Sequence, residues 1–195
     1  RHSRLVQRTL AGCKRCFSHP VKRKQPLSHN NLHTAFLHYH TSADHDDILF
    51  LAQLYFGFKT LQHLGELVWP DAPHIQSYNI VPMCHTVDVE DNCVSYILPV
   101  SKTDKFGHGS QVLVQCTSYE DNCMEIFLNY LMSRDTVFPH HLELWLRANS
   151  LILTCSWFTT HFQHIFANCG FSGHSIQAGG ATALVLVGVS PDIIQ

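Results

Sequence analysis

Residues 48–58, ILFLAQLYFGF, constrain this chain more than any other stretch. Apolar side chains fall on every side of a helix drawn through them, so the segment is predicted as a helix enclosed by protein on all faces. It is far short of the roughly 20 residues a membrane span needs, as is the other long apolar run, Ala178–Val189, and no membrane partner is assigned. Asp44, Asp46 and Asp47 stand at its start, where a helix N-terminus favours negative charge. The helix is placed from about Asp46 to Thr60. With 195 residues and 45% apolar content, the chain can wrap one core around it, as one domain with a short appendage.

The flanking segments supply the wrapping. Ser28 is a good cap for a helix through His40, with Leu32, Ala35, Phe36 and Tyr39 along one side. After Trp69-Pro70-Asp71 the pattern turns extended. Cys84–Glu90 and Asn92–Val100 have strand composition, with Asp91-Asn92 as a tight turn between them. Gln111–Cys116 reads as a third strand beyond the polar loop Ser101–Ser110. Helical spacing returns over Asp121–Arg134, Trp157–Asn168 and Ser175–Gly188, the last glycine serving as a C-cap. Ser190-Pro191-Asp192 reads as one more helix start. The fold class is α+β, mainly helical, with a small antiparallel β-sheet.

Charge divides the chain at about residue 24. Arg1, Arg4, Arg8, Lys14, Arg15, Lys22, Arg23 and Lys24 are 8 of the 13 basic residues, with no acid before Asp44. The remainder carries 5 basic against 15 acidic residues, a net of −10. A basic arm on an acidic body points to a polyanion partner for the arm. Leu5, Val6 and Leu10 suggest a helix there, and Pro20 and Pro26 bracket a linker. No secretory signal is visible, and the 8 cysteines are irregularly spaced, so they are read as reduced thiols. Cys13-x-x-Cys16 with His19 is half of a zinc site without a second pair at suitable spacing, and neither metal nor cofactor is assigned. The start at Arg1 and the stop after Gln195 read as those of a fragment.

Four ordered segments resemble the boxes of a known family. They are Leu64-Gly65-Glu66-Leu67-Val68-Trp69-Pro70-Asp71, Ser101-Lys102-Thr103-Asp104-Lys105-Phe106, Leu142-Glu143-Leu144-Trp145-Leu146-Arg147-Ala148-Asn149, and Gly173-His174-Ser175 through Val189. Together they resemble the tyrosine recombinases, most nearly the Crypton-like integrases of fungal mobile elements. The resemblance implies a catalytic domain over 25–195 that ends before the nucleophile. It makes 1–24 the end of a preceding DNA-binding helical domain plus a basic linker. It implies DNA integration and recombination, duplex DNA as partner, self-association on DNA and a nuclear setting.

In that family a tyrosine hydroxyl attacks a phosphodiester without a metal. The charge gathered on the non-bridging oxygens is met by two arginines, whose guanidinium forks stay cationic. A loop lysine and histidines move protons. Carried over position by position, the first arginine falls on His63, the neighbouring acid on Glu66, the loop lysine on Lys102, the histidine on His174, and the second arginine on Gln177. The tyrosine position lies beyond Gln195. Glutamine carries no charge, and an imidazole is a poor substitute for a permanent cation. The implied outcome is a chain that cannot cleave DNA and binds it weakly, salt-sensitively and without sequence preference, mainly through the arm. Tyr119 and Tyr130 read as ordinary structural residues, not displaced nucleophiles.

The 16 histidines against 7 arginines fit the same picture, because single C-to-T transitions turn CG-type arginine codons into His, Cys or Gln codons. Two rival readings are a repurposed module that keeps DNA or protein contacts without chemistry, and a metal site built from His63, Glu66 and His174.

Overall fold

The computed structural model describes residues 24–100, 108–118 and 121–194, with Val6, Arg8, Thr9, Gly12 and Cys13 of the arm. Its elements are α1 (His29–Tyr39), α2 (His45–Lys59), α3 (Leu64–Leu67), β1 (Asp88–Val89), β2 (Cys93–Leu98), β3 (Ser110–Gln115), α4 (Cys123–Val137), α5 (Cys155–Phe166) and α6 (His174–Leu186). The architecture is mainly helical with one three-stranded antiparallel sheet, ordered β1-β2-β3. Among the described residues, no helix is long and apolar enough to cross a membrane.

Helix α2 is the axis. Every residue from Leu49 to Phe58 is buried, as the unbroken apolar run demands. Asp44 caps it, its carboxylate accepting from the backbone N–H groups of Asp46 and Asp47 at 2.8 and 3.3 Å. The one polar side chain midway, Gln53, donates to the Leu67 carbonyl at 3.0 Å and ties α2 to α3. Helices α1, α4 and α6 pack around α2. α1 begins at a capping box in which Asn31 plays the acid's part: Ser28 Oγ accepts from Asn31 N, and Asn31 Oδ1 accepts from Ser28 N.

The sheet lies against the same core through Val94, Tyr96, Leu98 and Val114, all buried. In its register, Val94 pairs with Val114 and Tyr96 with Val112. The first strand is much shorter than its composition suggests. Cys84–Thr86 forms a 3-10 turn, and only Asp88–Val89 pairs with β2. The cause is competition for backbone partners: Cys84 N–H donates to Leu142 O at 2.8 Å, and Met83 bridges Glu143. Ser190-Pro191-Asp192 starts no helix; the chain turns there, with Ile193 N–H reaching Ser190 O. Gly188, at φ +91°, does end α6 as a left-handed residue should.

All 7 cysteines among the described residues are free thiols. Burial pushes Cys123 up to about 12 and Cys84 up to about 11, whereas Cys13, Cys116 and Cys169 are exposed. Since the thiolate is the nucleophile, iodoacetamide at pH 8 is expected to label the three exposed cysteines roughly a hundredfold faster than Cys84 or Cys123. Peptide mass spectrometry reads this directly. Equal labelling of Cys123 in the folded chain would contradict its place in the core.

Candidate functional site

The end of α2 sets the site. Leu61 adopts φ +58° and Gln62 N–H reaches back to Gly57 O at 3.0 Å, so the chain reverses and leaves His63 as the first residue before α3. Gln62 is the anchor of this reversal. It is 2% exposed, and its Oε1 accepts from Tyr96 Oη at 2.9 Å and from Thr60 Oγ1 at 3.2 Å. Burial pushes the Tyr96 hydroxyl up, which keeps it a donor. Position 63 is thereby fixed by a side chain reaching from β2. Sequence reading missed this role; its signal was a lone glutamine following an apolar helix.

Glu66 turns back on its own helix. Its Oε2 accepts from the His63 backbone N–H at 2.9 Å, satisfying a helix-start donor. Bracing of α3 is therefore this carboxylate's visible work.

Helix α6 arrives from the opposite side. A Cβ at Gly173 would press on Leu64, so α6 begins directly against α3. Ser175 is 1% exposed; its Oγ accepts from Ser172 N and its carbonyl from Leu27 N, which pins the first turn. His174 stands exposed at the head of α6, and Gln177 follows one turn later on the same side. There Gln177 Nε2 lies 3.3 Å from His63 Nε2. Residues 114 positions apart in the chain are thus in hydrogen-bond contact.

Neither member of that pair is a fixed cation. Residues 25–195 contain two arginines, and both are engaged elsewhere: Arg134 in the core, Arg147 beside Asp46 and over the Trp157 ring. Lys102 lies in the connection between β2 and β3, outside the described residues, as do Arg1, Arg4, Lys14, Arg15, Lys22, Arg23 and Tyr119. Arg8 and Lys24 are described and exposed. Tyr130 is fully buried, donating to Leu144 O and accepting from Leu146 N, which removes it as a nucleophile. Among the described residues, no group of three His, Cys, Asp or Glu could hold a metal ion. His63, Glu66 and His174 therefore do not make a metal site.

No protein-family model and no curated protein matches the sequence. Solved structures do. The XerH site-specific recombinase bound to its difH substrate, in a pre-cleavage complex, superposes with a TM-score of 0.61 at 13% identity, over 92% of this chain and 48% of its own. Its post-cleavage complex with a palindromic difH substrate gives 0.63 at 14%, over 89% and 46%. The chain has the tyrosine-recombinase fold. The Tn1549 transposon integrase in complex with circular intermediate DNA shares that fold, with a TM-score of 0.57 at 11% identity over 98% of this chain and 65% of the integrase. The recombinase fold here spans about half the length of XerH.

Proposed function

We propose that the chain is a duplex-DNA-binding relative of the tyrosine recombinases, nearest in its boxes to the Crypton-like integrases of mobile elements, and that it does not cut DNA. The observation that carries the loss of cutting is the contact between His63 and Gln177. The resemblance assigns these two positions to the paired arginines. Instead of two guanidinium forks aimed at a phosphate, an amide and an imidazole satisfy each other. Losing one preorganised donor costs about 10²–10³ in rate, and here both charges are replaced.

DNA binding is supported by the DNA complexes of XerH and the Tn1549 integrase and by the basic arm. The acidic body opposes phosphate contact, so binding is weak, steeply salt-dependent and indifferent to sequence. A nuclear setting and self-association on DNA belong to the same reading.

The double substitution His63→Arg/Gln177→Arg tests the site. It is expected to tighten duplex binding and steepen the plot of log affinity against log salt by about 2, each added phosphate contact contributing about 0.9. An unchanged affinity and slope would overturn the assignment of this site. The unsubstituted chain is expected to give no covalent protein–DNA band on a denaturing gel with nicked duplex; such a band would overturn the claim of inactivity.

A further inference from the structure

We propose that the outer edge of β3 pairs antiparallel with the same edge of a second copy of this chain, joining two three-stranded sheets into one of six strands. This gives the self-association proposed above a surface and rests on that reading for its partner; DNA is not needed for the contact.

The sheet has two edges, and they differ in kind. β1 is two residues long and carries or adjoins the exposed carboxylates Asp88, Glu90 and Asp91. Shortness and charge are the usual defences of an edge against pairing with another chain. β3 has neither. Ser110–Gln115 holds no charge and no proline, and all six residues pair with β2 in unbroken register. Its backbone groups alternate in direction. Cys116 N–H donates to Asn92 O at 2.7 Å, so Ser110, Val112 and Val114 likewise turn theirs toward β2. The N–H and C=O groups of Gln111, Leu113 and Gln115 then point outward. Among the described residues, no backbone hydrogen bond from another segment reaches those three. All three are exposed, Leu113 by 46%.

The order of residues names the occupant. Gln111-Val112-Leu113-Val114-Gln115 reads the same in both directions. Antiparallel pairing about a two-fold axis at Leu113 sets this leucine against Leu113 of the second copy, and each Gln111 against a Gln115. Each pair exchanges both of its outward backbone bonds. On the outer face the two leucines meet at the axis, with amide opposite amide on either side. Val112 and Val114 stay turned to each protomer's own core. Charge favours a second copy over other partners. A two-fold axis sets a strand against itself, so a charge at position 113 would meet its like, and this strand carries none. The basic arm and a nucleic-acid backbone find no countercharge on it. Because the β1 edge is closed to pairing, assembly stops at two copies.

The test is sedimentation velocity of the full chain without DNA, from about 1 to about 300 µM, because so short a seam makes a small and weak interface. The unsubstituted protein is expected to pass from monomer to dimer across that range. Leu113→Lys places two ammonium groups at the axis and is expected to remain a monomer. Two double substitutions fix the register. Gln111→Lys/Gln115→Lys sets like charges opposite each other on both sides of the axis and is expected to weaken association about tenfold or more. Gln111→Lys/Gln115→Glu sets opposite charges there and is expected to restore it. Both lose the hydrogen bond from Gln111 Nε2 to Ser95 Oγ, so their difference reports charge across the seam. Circular dichroism checks that each protein folds. A monomer throughout the range overturns the proposal. So does a dimer that Leu113→Lys leaves intact, or one equally strong in the two double substitutions, because the contact then lies elsewhere. None of these outcomes bears on DNA binding, which the salt dependence of the double-arginine protein measures separately.

Discussion

Gly179→Ala and Gly180→Ala are each expected to destabilise the fold by about 2 kcal/mol or more, and together to bring it near unfolding. The direction runs against local preference, because alanine normally returns about 1 kcal/mol to a helix interior. Tertiary packing reverses the sign. A Cβ at Gly179 would overlap the Leu27 carbonyl oxygen and come within 2.8 Å of Phe58 Cε2. A Cβ at Gly180 would overlap the Phe58 carbonyl oxygen and come within 2.6 Å of Leu61 Cδ2. Backbone atoms cannot swing aside as a side-chain tip can, so α6 must lift from α2 and from the strand of chain entering α1. Overpacking costs of about 1–3 kcal/mol are usual, and contact with main chain belongs at the upper end. Two such costs approach the lower end of the roughly 5–15 kcal/mol that stabilises a whole domain. The urea midpoint reads the effect. Gly65→Ala is the control, since nothing lies within 4 Å of its added Cβ, and it is expected to leave the midpoint unchanged or raised. A Gly179→Ala/Gly180→Ala protein as stable as the parent would show that α6 is not seated as described. It would also unseat Gln177 from His63, because the same close approach sets both.

That seating explains what could and could not be read from the residues. Ser28, the acids before residue 48 and the unbroken apolar run fixed the first two helices, because caps and periodicity are local signals. Two adjacent glycines inside a helix, Gly179 and Gly180, are a local signal of close packing that names no partner; the partners are the Leu27 and Phe58 carbonyls. The overlong first strand arose because strand composition says nothing about competition: Cys84 gives its N–H to Leu142 O, a residue 58 positions away. The juxtaposition of His63 and Gln177 was legible only through resemblance to a family's ordered boxes. No spacing rule joins residues so far apart. Glu66 shows the converse: the chemical role was suggested by position in a box, and the visible hydrogen bond is a helix cap. Gln62 and Arg134 were legible only as polar residues in apolar surroundings, since their partners come from distant segments.

Arg134→Ala is expected to cost about 3–5 kcal/mol, the loss typical of removing one member of a buried charged network. The segment from Phe138 to Leu153 crosses the core with little regular structure, so its backbone groups need partners from side chains. Arg134 is 2% exposed; it donates from Nε and Nη2 to Glu143 O at 3.1 and 2.8 Å, and from Nη2 to His141 O at 2.5 Å. Tyr130 serves Leu144 and Leu146 in the same way, and the His45 ring donates to Leu146 O. The pair with Asp135 adds little, because that carboxylate is 64% exposed. Lysine cannot reproduce a fork onto two carbonyls, so Arg134→Lys is expected to recover less than half of the loss. Thermal and urea unfolding measure both substitutions; an Arg134→Ala protein within about 1 kcal/mol of the parent would refute the account. The outcome bears on function as well as stability. Of the two arginines in residues 25–195, Arg134 braces buried backbone, and Arg147 packs over Trp157 beside Asp46. The positions proposed for cutting are a histidine and a glutamine, and Gly179 and Gly180 keep them together. Guanidinium groups stand where the fold needs them, and the two positions that the proposed function assigns to the paired arginines hold none.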